Sequence, residues 1–493
     1  MKIRSSHKVL IPVILIGGTI FLFVFTKSCV SSFTHDESFS YLNYCHEGFM
    51  EIISYRNWYP NNHVLNSLLM KYSEKLFGPS EWALRLPNLM LLLVYMFYSY
   101  RLFRKKDPLL TVAMFTLMCT NPLLLDLFGL ARGYGLSCGF MVMGLYHFMA
   151  YLKNHKTADL ALYHVAALLA SLSNFTLLTF YIATLITYNL VAFMHARFIQ
   201  DHRFGFFRSN RVHILPLILA GIVLFEPVRR VLSYNTYDFG GKTGFYQDTA
   251  THLIFNVFHR MHLPPALMLI LQAVFTAMVF ISLFLIIYKT VRRDQKFFEG
   301  HLGLIMASFV FLLVCIMIIL LHVIRGSDYP IDRFSIFLFP LLVVHIGFLV
   351  HFLISLRFKK IILAVMSVTA LASLVGFWRQ ADLHESLEWA YDSKTRDMIQ
   401  ALSEYREMEQ PGSRDIRLGI HWHFEPTVNF YRVTWGLDWL LPVERDGIHS
   451  KDDYFYIYRD ELNQLDASGY RIIKEYGNIQ TVLLVNTRST EKK

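Results

Sequence analysis

The sequence predicts a polytopic α-helical membrane protein of about eleven spans, followed by a small α/β domain at the C-terminal end. Of its 493 residues, 54% are hydrophobic and only 17% are charged, whereas soluble domains usually carry about 25% charged residues. The apolar residues form long uncharged runs, and a helix needs roughly 20 apolar residues to cross a bilayer. After Arg379 these runs stop and charged residues become frequent.

Each apolar run is long enough, or nearly long enough, for one helix, with one exception. The uncharged stretch 160–196 is too long for a single span, and Ser171-Leu172-Ser173-Asn174 divides it into two helices joined by a polar turn. The candidate spans are residues 9–26, 82–100, 108–125, 133–152, two helices within 160–196, 212–225, 263–288, 302–324, 334–356 and 361–378.

The basic residues set the predicted orientation. The net charge of +10 comes largely from compact Lys and Arg clusters between the runs, which is typical of cytoplasmic loops and not of a nucleic-acid groove. With the N-terminus in the cytoplasm, eleven spans place all of these clusters inside. The five cysteines indicate no disulfide framework.

This topology predicts a membrane domain over residues 1–378 and an extracytoplasmic α/β domain over 379–493. Two long outer loops, 28–81 and the glycine-containing 229–262, belong to the membrane domain. In the tail, the pattern predicts helices at 383–408 and 426–435, a short helical piece at 462–465, and strands at 416–420, 454–458, 470–475 and 480–485. In the first outer loop it predicts an amphipathic helix over 64–77.

Candidate catalytic residues follow directly after the first span. Asp36 and Glu37 are adjacent acids at a membrane edge, where acids are more often functional than not. One of them can act as a general base while the other orients it or binds a cation. His63 lies in the same loop, so His63 and Asp36 are a candidate divalent-metal site. The alternatives are a solvated acid pair at a helix end and a histidine that only shapes the loop.

Four arginines near the outer ends of predicted spans run against the positive-inside bias. A guanidinium group binds phosphate bidentately, so these side chains, with the neighbouring tyrosine, are candidates for binding an anionic substrate. The alternative is interfacial snorkelling beside an aromatic belt. The candidates are Arg85, Arg132, Tyr134, Arg325 and Arg333.

Several motifs resemble those of one enzyme class. They are HDESFSY at 35–41, NNHVLN at 61–66, LFGPSEWALRLPN at 76–88, ARGY at 131–134 and YPIDRF at 329–334. Their content and order resemble the GT-C membrane glycosyltransferases, in particular glycosyltransferase family 39, which includes bacterial relatives of protein O-mannosyltransferases and the lipid A aminoarabinose transferase. The sequence departs from the family at Val64, where relatives often have proline, and at Leu130, where they have glutamate.

The resemblance implies a GT-C fold and a hexosyl or pentosyl transferase that uses a polyprenyl-phosphate-linked sugar on the outer face of a bacterial inner membrane. Asp36 matches the loop acid proposed as the general base, and Arg132 and the cluster from Arg325 to Arg333 would lie near the lipid phosphate. A lipid, glycan or protein would be the acceptor. The rival interpretations are a secondary transporter or flippase, for which paired repeats would be expected, and a binding or assembly protein that presents its tail outside.

Overall fold

The computed structural model describes residues 2–57, 61–199, 206–233, 240–257, 264–356, 358–409, 415–449, 451–465 and 469–490. Contacts within the chain group it into two compact units. The first comprises Met1–Val24, Ile53–Asn66 and Pro87–Ala381, and the second comprises Phe25–Ile52, Ser67–Leu86 and Asp382–Lys493. The predicted domain boundary after residue 378 stays a prediction, because the second unit combines tail residues with residues of the first outer loop.

Helices make up most of the described chain. In order they are α1 (Lys2–Val30), α2 (His35–Ser40), α3 (Phe49–Ile53), α4 (Val64–Phe77), α5 (Glu81–Phe103), α6 (Pro108–Met118), α7 (Pro122–Phe128), α8 (Gly133–Asn154), α9 (Thr157–Ser173), α10 (Leu178–Met194), α11 (Phe206–Ser233), α12 (Thr251–Phe255), α13 (Pro265–Val291), α14 (Gln295–Arg325), α15 (Asp332–Ser335), α16 (Leu338–Leu353), α17 (Lys359–Gln380), α18 (Thr395–Glu409), α19 (Glu425–Thr434) and α20 (Thr487–Thr490).

The eleven predicted membrane segments all coincide with helices. Within the described ranges, eight helices are long and apolar enough to span a bilayer: α1, α5, α8, α10, α11, α13, α14 and α17. The pair α6 and α7, bent by 65°, raises the number to nine, and α9 and α16 are shorter apolar helices. The polytopic α-helical class is confirmed, and the number of segments that cross the membrane stays a prediction.

The long helices of the first unit expose apolar side chains. On α13, for example, Leu269, Phe280 and Phe284 are each more than 60% exposed. An apolar surface of this size is stable against lipid and not against water. The chain is therefore an integral membrane protein.

The division of the 160–196 stretch is confirmed. Helix α9 ends at Ser173, and the side-chain oxygen of Asn174 accepts a hydrogen bond of 3.1 Å from the backbone N–H of Thr176, which caps the short turn before α10. An asparagine side chain competes well for backbone hydrogens and so ends a helix locally.

The second unit contains a four-stranded mixed sheet. Its strands are β1 (Leu418–Ile420), β2 (Tyr454–Tyr458), β3 (Tyr470–Tyr476) and β4 (Thr481–Asn486), in the spatial order β1-β2-β4-β3. Strand β1 runs parallel to β2, and the other neighbours are antiparallel. One face buries an apolar cluster made by Phe455, Ile457, Val482 and Leu484. The predicted strands and the helix at 426–435 are confirmed to within two residues.

One predicted helix of the tail begins later than expected. Helix α18 starts at Thr395, preceded by a 3-10 turn, and not at residue 383. The reason is local: the side chain of Asp382 accepts hydrogen bonds from the backbone N–H groups of His384 and Glu385, at 2.8 and 2.9 Å. This side chain satisfies the two donors within the turn, so the residues that follow need not be helical.

Candidate active site

The two adjacent acids lie in the first turn of the short helix α2. Thr34 caps this helix: its hydroxyl accepts from the backbone N–H of Glu37, and the Glu37 carboxylate accepts from the backbone N–H of Thr34 at 3.0 Å. This reciprocal capping box fixes the start of a helix too short to be stable alone. As a result the two acids differ sharply, because Asp36 is half-buried and Glu37 is fully buried.

Glu37 is neutralised by Arg85, which begins the second predicted span. The guanidinium donates Nε–H to Oε1 of Glu37 at 2.8 Å and Nη2–H to Oε2 at 2.7 Å. Its remaining hydrogens reach the carbonyl oxygens of Ser28, Ser31 and Ser32 and the hydroxyl of Ser31, at 2.9 to 3.1 Å. Both side chains are completely buried. All five N–H groups of Arg85 are therefore engaged, which favours a structural role for this pair over catalysis or phosphate binding.

Residues of the tail hold the same turn from the other side. The backbone N–H of His35 donates to Oδ2 of Asp392 at 2.6 Å, and Nδ1 of His35 lies 2.7 Å from the carbonyl oxygen of His423. Just before α2, the backbone N–H of Phe33 donates to the hydroxyl of Tyr431 at 2.8 Å. These partners lie more than 350 positions apart in the sequence. The position of Asp36 thus depends on the tail.

Burial shifts the pKa of two of these groups in opposite directions. Desolvation raises the pKa of the Asp392 carboxyl well above its ordinary value, although the hydrogen bond from the His35 N–H opposes this shift. Desolvation also lowers the pKa of the His35 imidazole. Both shifts favour the uncharged form of the group concerned.

In the first unit, Arg132 occupies the cap position of α8. It is almost fully buried, and its guanidinium donates to the backbone carbonyl of Asn61 at 3.1 Å and to the side-chain oxygen of the same residue. The next residue must be a glycine: a Cβ at Gly133 would lie 2.0 Å from the carbonyl oxygen of Ser173 and 2.6 Å from Cγ of His63. A helix N-terminus beside a guanidinium is electrostatically suited to an anion.

His63 packs against this helix start. Its Nδ1 lies 2.8 Å from the carbonyl oxygen of Ser173, and its ring meets the ring of Tyr134 edge to face at 4.8 Å. Because a carbonyl only accepts, Nδ1 carries the proton and Nε2 is left as an acceptor. Nε2 is buried and has no hydrogen-bond partner among the described residues. Desolvation, and then the charges of Arg132 and Arg333, lower the pKa of His63 well below its ordinary value.

Arg333 belongs to the same group of residues. It lies in α15, its guanidinium is 4.8 Å from the ring centroid of Phe334, and that ring meets Tyr134 at 5.9 Å. The segment before it is held by the second outer loop, since Nδ1 of His252 is 2.7 Å from Oδ1 of Asp332. The structure therefore places Arg132, Tyr134, Arg333 and His63 in one cationic cluster.

Arg325 is placed differently. It ends α14, is exposed, and donates to the backbone carbonyl of Leu232 at 3.1 Å. Its charge is not among the causes of the His63 pKa shift. The geometry thus favours a structural role at the C-terminal ends of α11 and α14, where a cation is stabilised by the helix dipoles.

The expected metal site does not find support in the described part of the chain. No group of three or more His, Cys, Asp or Glu side chains there could hold a metal ion. Two guanidinium charges near His63 also disfavour a cation at that position.

Sequence reasoning missed the tail residues that hold the Asp36 turn: Asp392, His423 and Tyr431. The local signal for this region is the dense run of aromatic and imidazole rings at 421–424, His-Trp-His-Phe. Hydrophobic periodicity alone predicts a loop there.

The comparisons with known proteins identify the fold. No family model and no curated protein sequence matches the chain. Among solved structures, ArnT from Cupriavidus metallidurans in the apo state is similar over 97% of this chain and 98% of that one, with 12% identity and a TM-score of 0.55. The same protein bound to undecaprenyl phosphate gives a TM-score of 0.53 with 12% identity over 96% and 98% of the two chains.

A third solved structure is more distant. The oligosaccharyltransferase AglB from Archaeoglobus fulgidus, in complex with an inhibitory peptide and a dolichol-phosphate, has 13% identity and a TM-score of 0.39 over 92% of this chain and 70% of that one. The similarity to ArnT over nearly the whole length of both chains confirms the GT-C fold that the sequence motifs predicted.

Proposed function

We propose that this protein transfers a sugar, a hexose or a pentose, from a polyprenyl-phosphate-linked donor to an acceptor hydroxyl on the outer face of a bacterial inner membrane. Two findings support the proposal: the GT-C fold shared with ArnT, one form of which holds undecaprenyl phosphate, and the half-buried carboxylate of Asp36. The observation that carries it is the fixation of the turn that bears Asp36, by the capping box and by the contacts of Arg85 and of the tail residues.

Asp36 is the proposed general base. It accepts the proton of the acceptor hydroxyl while the hydroxyl oxygen forms a bond to the anomeric carbon of the donor sugar. The bond from that carbon to the phosphate oxygen breaks, and the polyprenyl phosphate leaves with the electron pair. Because a phosphate monoester is a good leaving group without protonation, a second acid is not required, and Glu37 stays buried as the partner of Arg85. A positioned base contributes about 10²- to 10⁴-fold to such a step.

The cationic cluster of the first unit is the proposed site for the donor phosphate. Arg132, Arg333 and the first turn of α8 supply positive charge and N–H donors, as anion sites at helix starts do. Nε2 of neutral His63 supplies a hydrogen-bond acceptor for a hydroxyl group of the donor sugar. Arg325 stays a more peripheral candidate for binding the donor phosphate. Arg85 is assigned a structural role, because it holds the turn that carries Asp36.

The proposal includes no step through a divalent metal, because the described residues around His63 do not fit one. It places the N-terminus in the cytoplasm and the outer loops 28–81 and 229–262, with the tail, on the extracytoplasmic side of the membrane. A lipid, a glycan or a protein is the acceptor, and the hydroxyl is preferred over a phosphate because a general base is present.

The test is the transfer reaction with purified protein. Asp36→Asn should lower kcat by about 100-fold or more and leave the KM of the lipid-linked donor unchanged, since the carboxylate acts on the acceptor. Asp397→Asn removes an exposed carboxylate on α18 and is the matched control. Undiminished transfer by well-folded Asp36→Asn protein would overturn the assignment, and accumulation of substrate in vesicles without covalent product would indicate a transporter.

A further inference from the structure

One tryptophan of the second unit is exposed beside the Asp36 turn. Trp422 begins the 3-10 turn Trp422–Phe424 between β1 and α19, and 47% of it is exposed. The turn is rigid: Nδ1 of His421 accepts from the backbone N–H of His423 at 3.3 Å, and Phe424 is buried against Tyr456. The indole is thus held on a fixed turn while much of its surface stays open to solvent.

Polar groups of both signs surround this indole. The guanidinium of Arg445 lies 6.0 Å from the ring centroid of Trp422 and pairs with the carboxylate of Glu425 at 3.0 Å. Glu425 is held in turn by the amide of Asn429, at 2.8 Å. The ring of His421 lies 5.7 Å from that of Trp422. The surface therefore offers donors, acceptors and an apolar ring face, with its two charges paired.

The residue before the proposed catalytic carboxylate borders the same surface. The ring of His35, the residue before Asp36, meets Trp422 edge to face at 6.2 Å. The charges of Asp36, Arg445 and Glu425 all act on the pKa of His35, although burial is the largest cause of its lowering.

This combination selects one class of ligand. A phosphate or other anion would meet Glu425 together with Arg445, so the pair offers it little net attraction. A hydrocarbon chain would remove solvent from the guanidinium and the carboxylate and would offer no hydrogen bonds in return. A sugar ring is neutral, has an apolar face for an indole, and carries hydroxyl groups at its rim that both donate and accept hydrogen bonds.

We propose that Trp422, with Arg445 and Glu425, binds a sugar ring of the acceptor, so that the acceptor is a glycan or glycolipid and a hydroxyl near the bound ring reaches Asp36. That the bound saccharide is the acceptor rests on the proposed function. That this surface binds a sugar ring does not. It narrows the acceptor from any hydroxyl compound to a saccharide.

The test uses the purified full-length protein on a glycan array of neutral, amino-substituted and phosphorylated oligosaccharides. Wild-type protein and Asp36→Asn should both bind non-phosphorylated saccharides, and Trp422→Ala should weaken the binding about tenfold or more, the usual size for an anchoring tryptophan. Trp422→Phe keeps a ring and should restore most of it. Trp435→Ala, another exposed tryptophan of the same unit, is the control.

Three outcomes would overturn the inference: no saccharide binding by the wild type, binding of phosphorylated saccharides alone, or equal binding by Trp422→Ala. These outcomes are separate from failure of the proposed function. If Asp36→Asn transfers sugar normally but Trp422→Ala loses saccharide binding, the catalytic assignment fails and the binding site stands.

Discussion

Removing the charge of Glu37 should unfold the second unit more readily without touching the catalytic group. In Glu37→Gln, the guanidinium of Arg85 loses both of its charged contacts, at 2.7 and 2.8 Å, in a place where neither side chain is exposed. Breaking one partner of a buried ion pair costs about 3–5 kcal/mol, because the other charge is left uncompensated. The capping box with Thr34 is weakened as well.

The expected size of the effect follows from these numbers. At about 2–4 °C per kcal/mol for a unit of this size, the apparent Tm should fall by on the order of 10 °C. The measurement is thermal unfolding in detergent, followed by tryptophan fluorescence. The double variant with Arg85→Met should be no less stable than Glu37→Gln, because removal of both charges relieves the unpaired guanidinium.

Activity distinguishes this structural role from a catalytic one. At a temperature well below the lowered Tm, Glu37→Gln should retain most of its kcat, whereas Asp36→Asn should lose it at an unchanged Tm. Glu37→Gln protein with wild-type stability and no transfer activity would refute the reasoning, since it would make Glu37 a participant in the reaction.

Two further predictions concern the groups around the site. Burial raises the pKa of Asp392, so the folded state binds more protons than the unfolded state between the ordinary pKa and the raised one, and the free energy of unfolding should fall as pH rises through that interval. Asp392→Asn, which resembles the protonated acid and cannot titrate, should lack this slope, so that the difference between the wild-type and variant Tm changes with pH across the interval; parallel curves would contradict it. Arg132→Gln should raise the donor KM about tenfold or more, near 1.4 kcal/mol, and leave saccharide binding at Trp422 unchanged; an unchanged donor KM would remove Arg132 from the phosphate site.

The elements of the fold could be predicted because their signals are local. The sequence predicts helix α4 and strand β2 with the same bounds that the structure has. An amphipathic helical periodicity and a run of β-branched or aromatic residues are local signals, because they need no distant partner. The polar turn at Ser173 and Asn174 is also predicted from its local residues.

The site could be predicted only in part, because its organisation depends on distant contacts. An arginine at an outer membrane edge indicates an anion, and the sequence does not show whether that anion is a ligand or the protein's own Glu37, 48 positions away. Nor does it show that His35 pairs with Asp392 and His423. The choice of Asp36 over Glu37 came from family resemblance, and the difference in their burial now supplies a physical reason.

The most direct test of sugar transfer on the outer face is mass spectrometry of envelope glycans and glycolipids from the source organism. A strain that lacks this gene should lose one hexose or pentose from a single class of glycan or glycolipid and accumulate the polyprenyl-phosphate-linked donor. Wild-type protein should restore the modification, and Asp36→Asn should not. Identical envelope saccharides with and without the gene, or full restoration by Asp36→Asn, would contradict the account.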